Sequence, residues 1–347
     1  MTSAATKVFV GMSGGVDSSL SAALLKEQGY DVTGVYMKNW SQDLPGMKCP
    51  WAEDLADAKR VAVQLGIDFK VFDFEQEYRD KVVQYMIDEY TIGRTPNPDI
   101  MCNQEVKFKL FLETALENGA DMIATGHYAR VDNGRLLKAK DDNKDQTYFL
   151  YRVTEEALSK TLFPLGDFRK PEVRQMAEER GLTTAGKKES MGICFVGQVG
   201  IRDFLSQYVE TVPGDIVDKQ SQKAIGQHDG AIFYTLGQRH GLNVGGGLPY
   251  YVVGKDMSRN IVYVSQNIED ESIWRRKVTL QNIHWIGEKP KDDIQLQVRI
   301  RHRAPLVAAK LQDRTLELQE SQRAVTPGQS VVLYHGDECV GGGIVAE

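Results

Sequence analysis

Cysteine is scarce in this chain: 4 among 347 residues, and Cys49, Cys102, Cys194 and Cys339 form neither a CxxC pair nor a cysteine–histidine cluster. That spacing argues against a structural zinc site or a disulfide scaffold, and suits a reducing compartment with individually used thiols. Proline is sparse at 11 and no low-complexity tract appears, so a disordered chain is excluded. No apolar run approaches the roughly 20 residues of a membrane-spanning helix, so no membrane partner is expected. Positive charge is in deficit: 42 Lys and Arg stand against 48 Asp and Glu, a net charge of -6. The surface therefore does not coat nucleic acid uniformly, and any such contact must be local. Met1 to Thr6 is small and polar, without the apolar core of a secretory leader or the arginines of a transit peptide, and a cytoplasmic location is expected.

Hydrophobic residues make up 41% of a chain too long for one core. Lys7–Gly11, Asp31–Met37, Asp68–Phe74 and Met122–Thr125 read as strands. Helical patterns lie between them at Asp17–Gln28, Ala52–Leu65, Tyr78–Tyr90 and Glu105–Asn118. The alternation predicts an α/β, doubly wound parallel sheet. Leu150–Gly181 reads as mostly helical, with Pro171 in a first turn. From about Phe204, short Val/Ile/Tyr runs such as Ala231–Thr235 and Tyr250–Gly254 alternate with turn residues. Two small β-rich domains are therefore expected after the α/β domain, with boundaries at 1–203, 204–277 and 278–347.

Gly11, Met12, Ser13, Gly14, Gly15, Val16, Asp17 and Ser18 join a strand to a helix, where backbone N–H groups and the helix dipole favour an anion. The spacing is neither GxGxxG nor Walker A. It resembles the PP-loop of ATP pyrophosphatases, which cleave ATP between the α and β phosphates and adenylate a substrate oxygen. Further on, Thr95-Pro-Asn-Pro-Asp99 is a proline-stiffened segment that delivers Asp99 and Cys102 three residues apart, a spacing compatible with one helical face. Cys194 follows Lys187 and Lys188, cations that could favour a thiolate. Arg299, Arg301 and Arg303 alternate and would share one face of a strand, either against a ligand or simply solvated.

Taken together, SGGVDS, TPNPD-x-x-C, GHY, KDQ-x-YFL, GICF, TLGQR and TPGQ resemble the bacterial MnmA and mitochondrial 2-thiouridylase family over nearly the whole chain. The resemblance implies that Gly11 to Ser18 and Met37 bind ATP, carried with Mg²⁺, and that Gly126 lies near the adenine. It implies that Asn97, Pro98 and Asp99 meet the target base, and that Cys102 and Cys194 are a redox pair. It also implies tRNA contacts by His127, by Lys144, Asp145 and Gln146, by Arg301 and His302, and by Gln329. The implied activity is ATP-dependent 2-thiolation of the wobble uridine in the anticodon loops of Lys, Glu and Gln tRNAs. The implied sulfur source is a persulfide delivered by a cysteine desulfurase or sulfur-relay protein. By residue type alone, Cys49 and Cys339 read as small core hydrophobes, and His127 could equally brace its own loop. On the loop alone, a PP-loop ligase for a small molecule and an adenine-nucleotide sensor stay open; neither needs paired thiols.

Overall fold

The computed structural model describes residues 5–43, 49–188, 200–245, 247–291 and 294–346. Strand β1 (Lys7–Gly11) leads through the glycine–serine loop into helix α1 (Val16–Glu27), and β2 (Asp31–Lys38), α2 (Trp51–Leu65) and β3 (Asp68–Asp73) continue the alternation. Buried Ala58, Val61 and Ala62 form the inward stripe of α2, at the spacing of a half-exposed helix. Gly66 closes α2 in the left-handed conformation, its N–H on the carbonyls of Ala62 and Val63.

Two longer helices follow. In α3, residues 75–91, a π segment Arg79–Val83 lies between Glu75–Tyr78 and Gln84–Thr91. In α4, residues 98–117, a π segment Cys102–Leu110 lies between Pro98–Met101 and Phe111–Glu117. The sequence places the start of α4 at Glu105, but it begins at Pro98. Asn97 is the N-cap, its side-chain oxygen accepting from the N–H of Asp99 at 3.1 Å and of Ile100 at 3.3 Å. Pro98 occupies the first turn, where its missing N–H costs nothing. The proline-stiffened segment is a helix start, and Asp99 and Cys102 do lie on one helix.

Beyond β4 (Met122–Thr125) come the hairpin β5 (Arg130–Asp132) and β6 (Arg135–Leu137), short helices α5 (Thr147–Leu150) and α6 (Glu155–Ser159), strand β7 (Thr161–Leu162) and α7 (Lys170–Glu179). The expected helical stretch from Leu150 to Gly181 is thus broken by a strand. Pro171 does open α7. The parallel sheet has the order β3-β2-β1-β4-β7, with β1 at its centre.

After α8 (Ile201–Leu205), strands β8 (Gly214–Asp218), β9 (Ala224–His228), β10 (Tyr251–Asp256) and β11 (Ile261–Ser265) form a four-stranded sheet. Ala231–Phe233, read as a strand, is one 3₁₀ turn. The last six strands are β12 (Trp274–Trp285), β13 (Leu296–Arg299), β14 (Val307–Gln312), β15 (Thr315–Arg323), β16 (Ser330–His335) and β17 (Glu338–Val345). Pairing of β12 with both β15 and β17 closes them into a barrel, and β6 adds to β17 at Glu338 and Cys339. The hairpin of the α/β domain is thereby sewn to the barrel.

The expected arginine face does not form. Strand β13 ends at Arg299, and Arg301 to Arg303 lie in a turn where Arg303 has φ +64°.

Candidate active site

The glycine–serine loop leaves the carboxyl end of the central strand, where open α/β sheets bind ligands. Gly14 has φ +72°, and a Cβ there would stand 2.4 Å from the Asp54 carbonyl of α2. Gly126, after β4, approaches so closely that a Cβ would lie 2.8 Å from the N of Ser18. The loop is thus clamped between α2 and the end of β4. The Ser13 N–H donates to Ser18 Oγ at 3.1 Å, and the Ser18 and Ser19 hydroxyls donate to the Gly15 carbonyl at 3.2 and 2.8 Å. No side chain caps α1. Met37 reaches the same place from β2, its Cε 2.9 Å from where a Cβ on Gly11 would stand.

Asp99 and Cys102 sit one turn apart in α4. Burial raises the Asp99 carboxyl above its ordinary value, with the Lys107 ammonium opposing. Cys102 is buried at 2% exposure within the core that includes Phe108 and Phe111. Phe108 packs on His127 with ring centroids 5.6 Å apart, and Phe163 meets the same imidazole at 6.2 Å. This contact brings the acid-and-thiol helix to the end of β4, beside the nucleotide loop. His127 Nδ1 lies 2.8 Å from Thr125 Oγ1, so the histidine braces its own loop. Burial first, then Lys107, holds it well below its ordinary titration range, and it is neutral at physiological pH.

Three segments of the chain meet at Thr95. The Thr95 N–H donates to the Pro327 carbonyl at 2.9 Å, and its hydroxyl lies 3.2 Å from that of Thr235. TPNPD, TLGQR and TPGQ therefore converge on one residue. Gln146 holds the loop after His127, its side chain accepting from the Tyr128 N–H at 2.9 Å. Asp145, at 1% exposure, is bonded to Thr147 and to the Ala139 N–H and pairs with Arg299 at 3.0 Å. Its carboxylate is spent inside the protein, joining the barrel to the α/β domain. Lys144 lies in the turn that its N–H closes on the Asp141 carbonyl. His302 packs tilted against Phe149 with ring centroids 4.5 Å apart, and Arg301 is exposed with one guanidinium N–H on the Arg323 carbonyl. Gln329 receives the Val345 N–H on its main-chain oxygen at 2.8 Å.

Cys194 lies outside the described residues. Lys187, read as a cation that could activate it, has its ammonium 2.7 Å from Asp54 and 2.5 Å from Asp57 of α2. Burial works against that charge, but the two carboxylates outweigh it and raise the lysine's pKa. Cys49 and Cys339 are buried, with thiols toward the carbonyls of Trp40 and Thr147. Lys170, whose ammonium lies 2.7 Å from Asp17, and Phe149, against His302, have no assigned role in the sequence, and Arg299 is read there only as part of an alternating arginine face. Lys170 had a signal, since a lysine opening a helix opposes the dipole unless an acid meets it.

A phosphate-type loop on a parallel sheet, beside a helix that carries an acid and a thiol, followed by a four-stranded β unit and a closed barrel, defines an α/β enzyme with appended β domains. Family models agree along the chain: a tRNA methyl transferase HUP domain at residues 6–198, a tRNA methyl transferase PRC-barrel domain at 202–266, and an aminomethyltransferase beta-barrel domain at 275–345. The tRNA-specific 2-thiouridylase MnmA of Bacillus cytotoxicus is 48% identical over 353 residues, covering 99% of this chain and 95% of the relative. The MnmA of a Bacillus cereus strain matches to the same extent. A solved 4-thiouridine synthetase–RNA complex with bound ATP is 19% identical, covers 59% of this chain and 50% of its own, and has a TM-score of 0.39, a likeness too slight to inform the site. The chain belongs to the MnmA family of tRNA-specific 2-thiouridylases.

Proposed function

We propose that this enzyme uses ATP to replace O2 of a tRNA wobble uridine by sulfur, in the anticodon loops of Lys, Glu and Gln tRNAs. The observation that carries the reading is the His127–Phe108 contact, which sets the helix of Asp99 and Cys102 beside the glycine–serine loop. A uracil carbonyl oxygen leaves poorly, so it must first be activated. The loop amides and hydroxyls would hold the phosphates of ATP while O2 attacks the α phosphorus and pyrophosphate departs. Asp17, the acid of the loop, is engaged by Lys170 and Tyr128. The loop therefore offers donors rather than a carboxylate cage, and Mg²⁺ would come as the counter-ion of the nucleotide.

The terminal sulfur of a Cys194 persulfide, loaded by a desulfurase or relay protein, would then attack carbon 2 and expel AMP with the former O2. The Cys102 thiolate would next attack the Cys194 sulfur. Their disulfide forms, the bond to the transferred sulfur breaks, and thiouridine is left; a thiol reductant resets the pair. Asp99, its pKa raised, is suited to carry a proton between these steps. Single-stranded loop bases can be splayed out at modest cost, and Asn97, Pro98, His302 and Gln329 would then meet the target nucleotide and its neighbours.

The test is to incubate the protein with ATP, Mg²⁺, cysteine, a desulfurase and unmodified tRNA, then digest and weigh the nucleosides. 2-Thiouridine formed together with AMP and pyrophosphate is expected. ATP consumed without thiolated tRNA would turn the reading toward a small-molecule ligase.

A further inference from the structure

Asp17 is the second residue of α1, where a carboxylate ordinarily turns back onto the free amides of its own helix start. Here it does not cap the helix. Instead Lys170 Nζ lies 2.7 and 2.8 Å from its two oxygens, and the Tyr128 hydroxyl donates to Oδ1 at 2.9 Å. The Lys170 side chain is only 10% exposed, and its ammonium also lies 5.7 Å from the Tyr128 ring centroid.

The lysine is itself rooted. Its main-chain N–H donates to Asp141 at 2.9 Å, and the preceding Arg169 N–H donates to Glu172 at 2.6 Å, fixing the start of α7. Ser18 and Ser19 direct their hydroxyls to the Gly15 carbonyl. The Ser18 hydroxyl takes the Ser13 N–H at 3.1 Å, whereas the Asp17 carboxylate, the one negative charge of the first turn, is drawn away to a cation.

We propose that Lys170 is a positioning residue of the nucleotide site: it holds and neutralises the Asp17 carboxylate, keeping the first-turn amides of α1 available to the phosphates of ATP. The inference rests on the ATP-dependent reading above. It assigns Lys170 no contact with the nucleotide; the lysine acts through Asp17. Without the ammonium, an unmatched carboxylate would face a polyanion at close range and compete for the same donors. The main-chain bond from residue 170 to Asp141 does not depend on the side chain, so the turn bearing Lys144 is expected to persist in its variants.

The experiment is calorimetric titration of the full-length protein with ATP and Mg²⁺, in four forms: parent, Lys170→Met, Lys170→Arg and the double variant Lys170→Met/Asp17→Asn. tRNA affinity without ATP and circular dichroism are measured alongside. A close unmatched charge weakens binding by about tenfold, so Lys170→Met should lose roughly that factor. Lys170→Arg should keep most of the affinity, and removing the Asp17 charge should restore most of what Lys170→Met loses, with tRNA affinity unchanged throughout. A purely structural lysine would not be rescued by a substitution at Asp17. Parental ATP affinity in Lys170→Met overturns the proposal. So does a loss that Asp17→Asn fails to relieve, which would mean that Lys170 touches the nucleotide directly. Failure of the parent itself to bind ATP would sink the ATP-dependent reading instead.

Discussion

Asp99 carries the raised carboxyl of the site, and the cost of ionising it is borne by the fold. Because the folded form holds that proton more tightly than the unfolded chain, its ionisation lowers stability as pH rises from the ordinary carboxylate range through the raised value. Asp99→Asn should therefore melt no lower than the parent at pH 7 while thiolation falls by about a hundredfold or more, the usual worth of a proton carrier. Equal activity in single-turnover assays would remove Asp99 from the chemistry. His302 has the opposite sign. Burial, with Arg303 and Arg299, lowers its pKa from 6.5 to about 4. The unfolded chain takes up a proton that the folded one refuses, so stability at this residue is complete above 6.5 and declines as pH falls toward about 4. Melting curves of His302→Phe should show a shallower acid decline, whereas an identical pH profile would contradict the assignment. The two thiols separate by labelling: sulfur from a desulfurase should load Cys102→Ser and spare Cys194→Ser, and the reverse pattern would exchange their roles.

At the scale of elements, the short turns of the β domains position the α/β site. Gly328 has φ +88°, and a Cβ there would stand 2.8 Å from both the Thr95 N and the Arg94 Cβ. Gly328→Ala would strain the backbone by roughly 1–2 kcal/mol and push the start of α4 away from the barrel. Weaker tRNA binding with unchanged ATP affinity is expected, and titrations with each ligand would check it; unchanged tRNA binding would mean the turn merely packs. Much of this scale was readable in advance. The nucleotide loop is local, since strand, loop and helix follow one another between Lys7 and Glu27 with their own punctuation. The start of α4 escapes a reading that takes Pro96 and Pro98 only as stiffening the backbone, because Asn97 before Pro98 is a cap followed by a first-turn proline. The π segment Cys102–Leu110 has no signal in a 3.6-residue period.

Across the whole molecule, the barrel is held to the α/β domain by buried polar bonds that run together. Arg299 pairs with Asp145, the Tyr148 hydroxyl donates to the Ser330 carbonyl at 2.9 Å, and the hydroxyls of Tyr151 and Ser330 lie 3.1 Å apart. These partners are up to 182 residues apart, which is why reading along the chain finds no mechanical role for the YFL motif and leaves Arg299 on a strand face, against a ligand or solvated. Asp145→Ala would leave a buried guanidinium without its carboxylate, at a cost of about 3–5 kcal/mol, read as a lower denaturant midpoint; a midpoint within error of the parent would refute the strut.

The central claim is that uridine O2 is adenylated before sulfur arrives, and the oxygen itself can be followed. tRNA transcribed with uridine carrying a heavy isotope at O2 would be thiolated in ordinary water, and the AMP released would be weighed. One heavy oxygen in AMP for each 2-thiouridine formed is the predicted result. AMP without the label, alongside thiolated tRNA, would contradict the account, because ATP would then have been spent on something other than the oxygen that leaves.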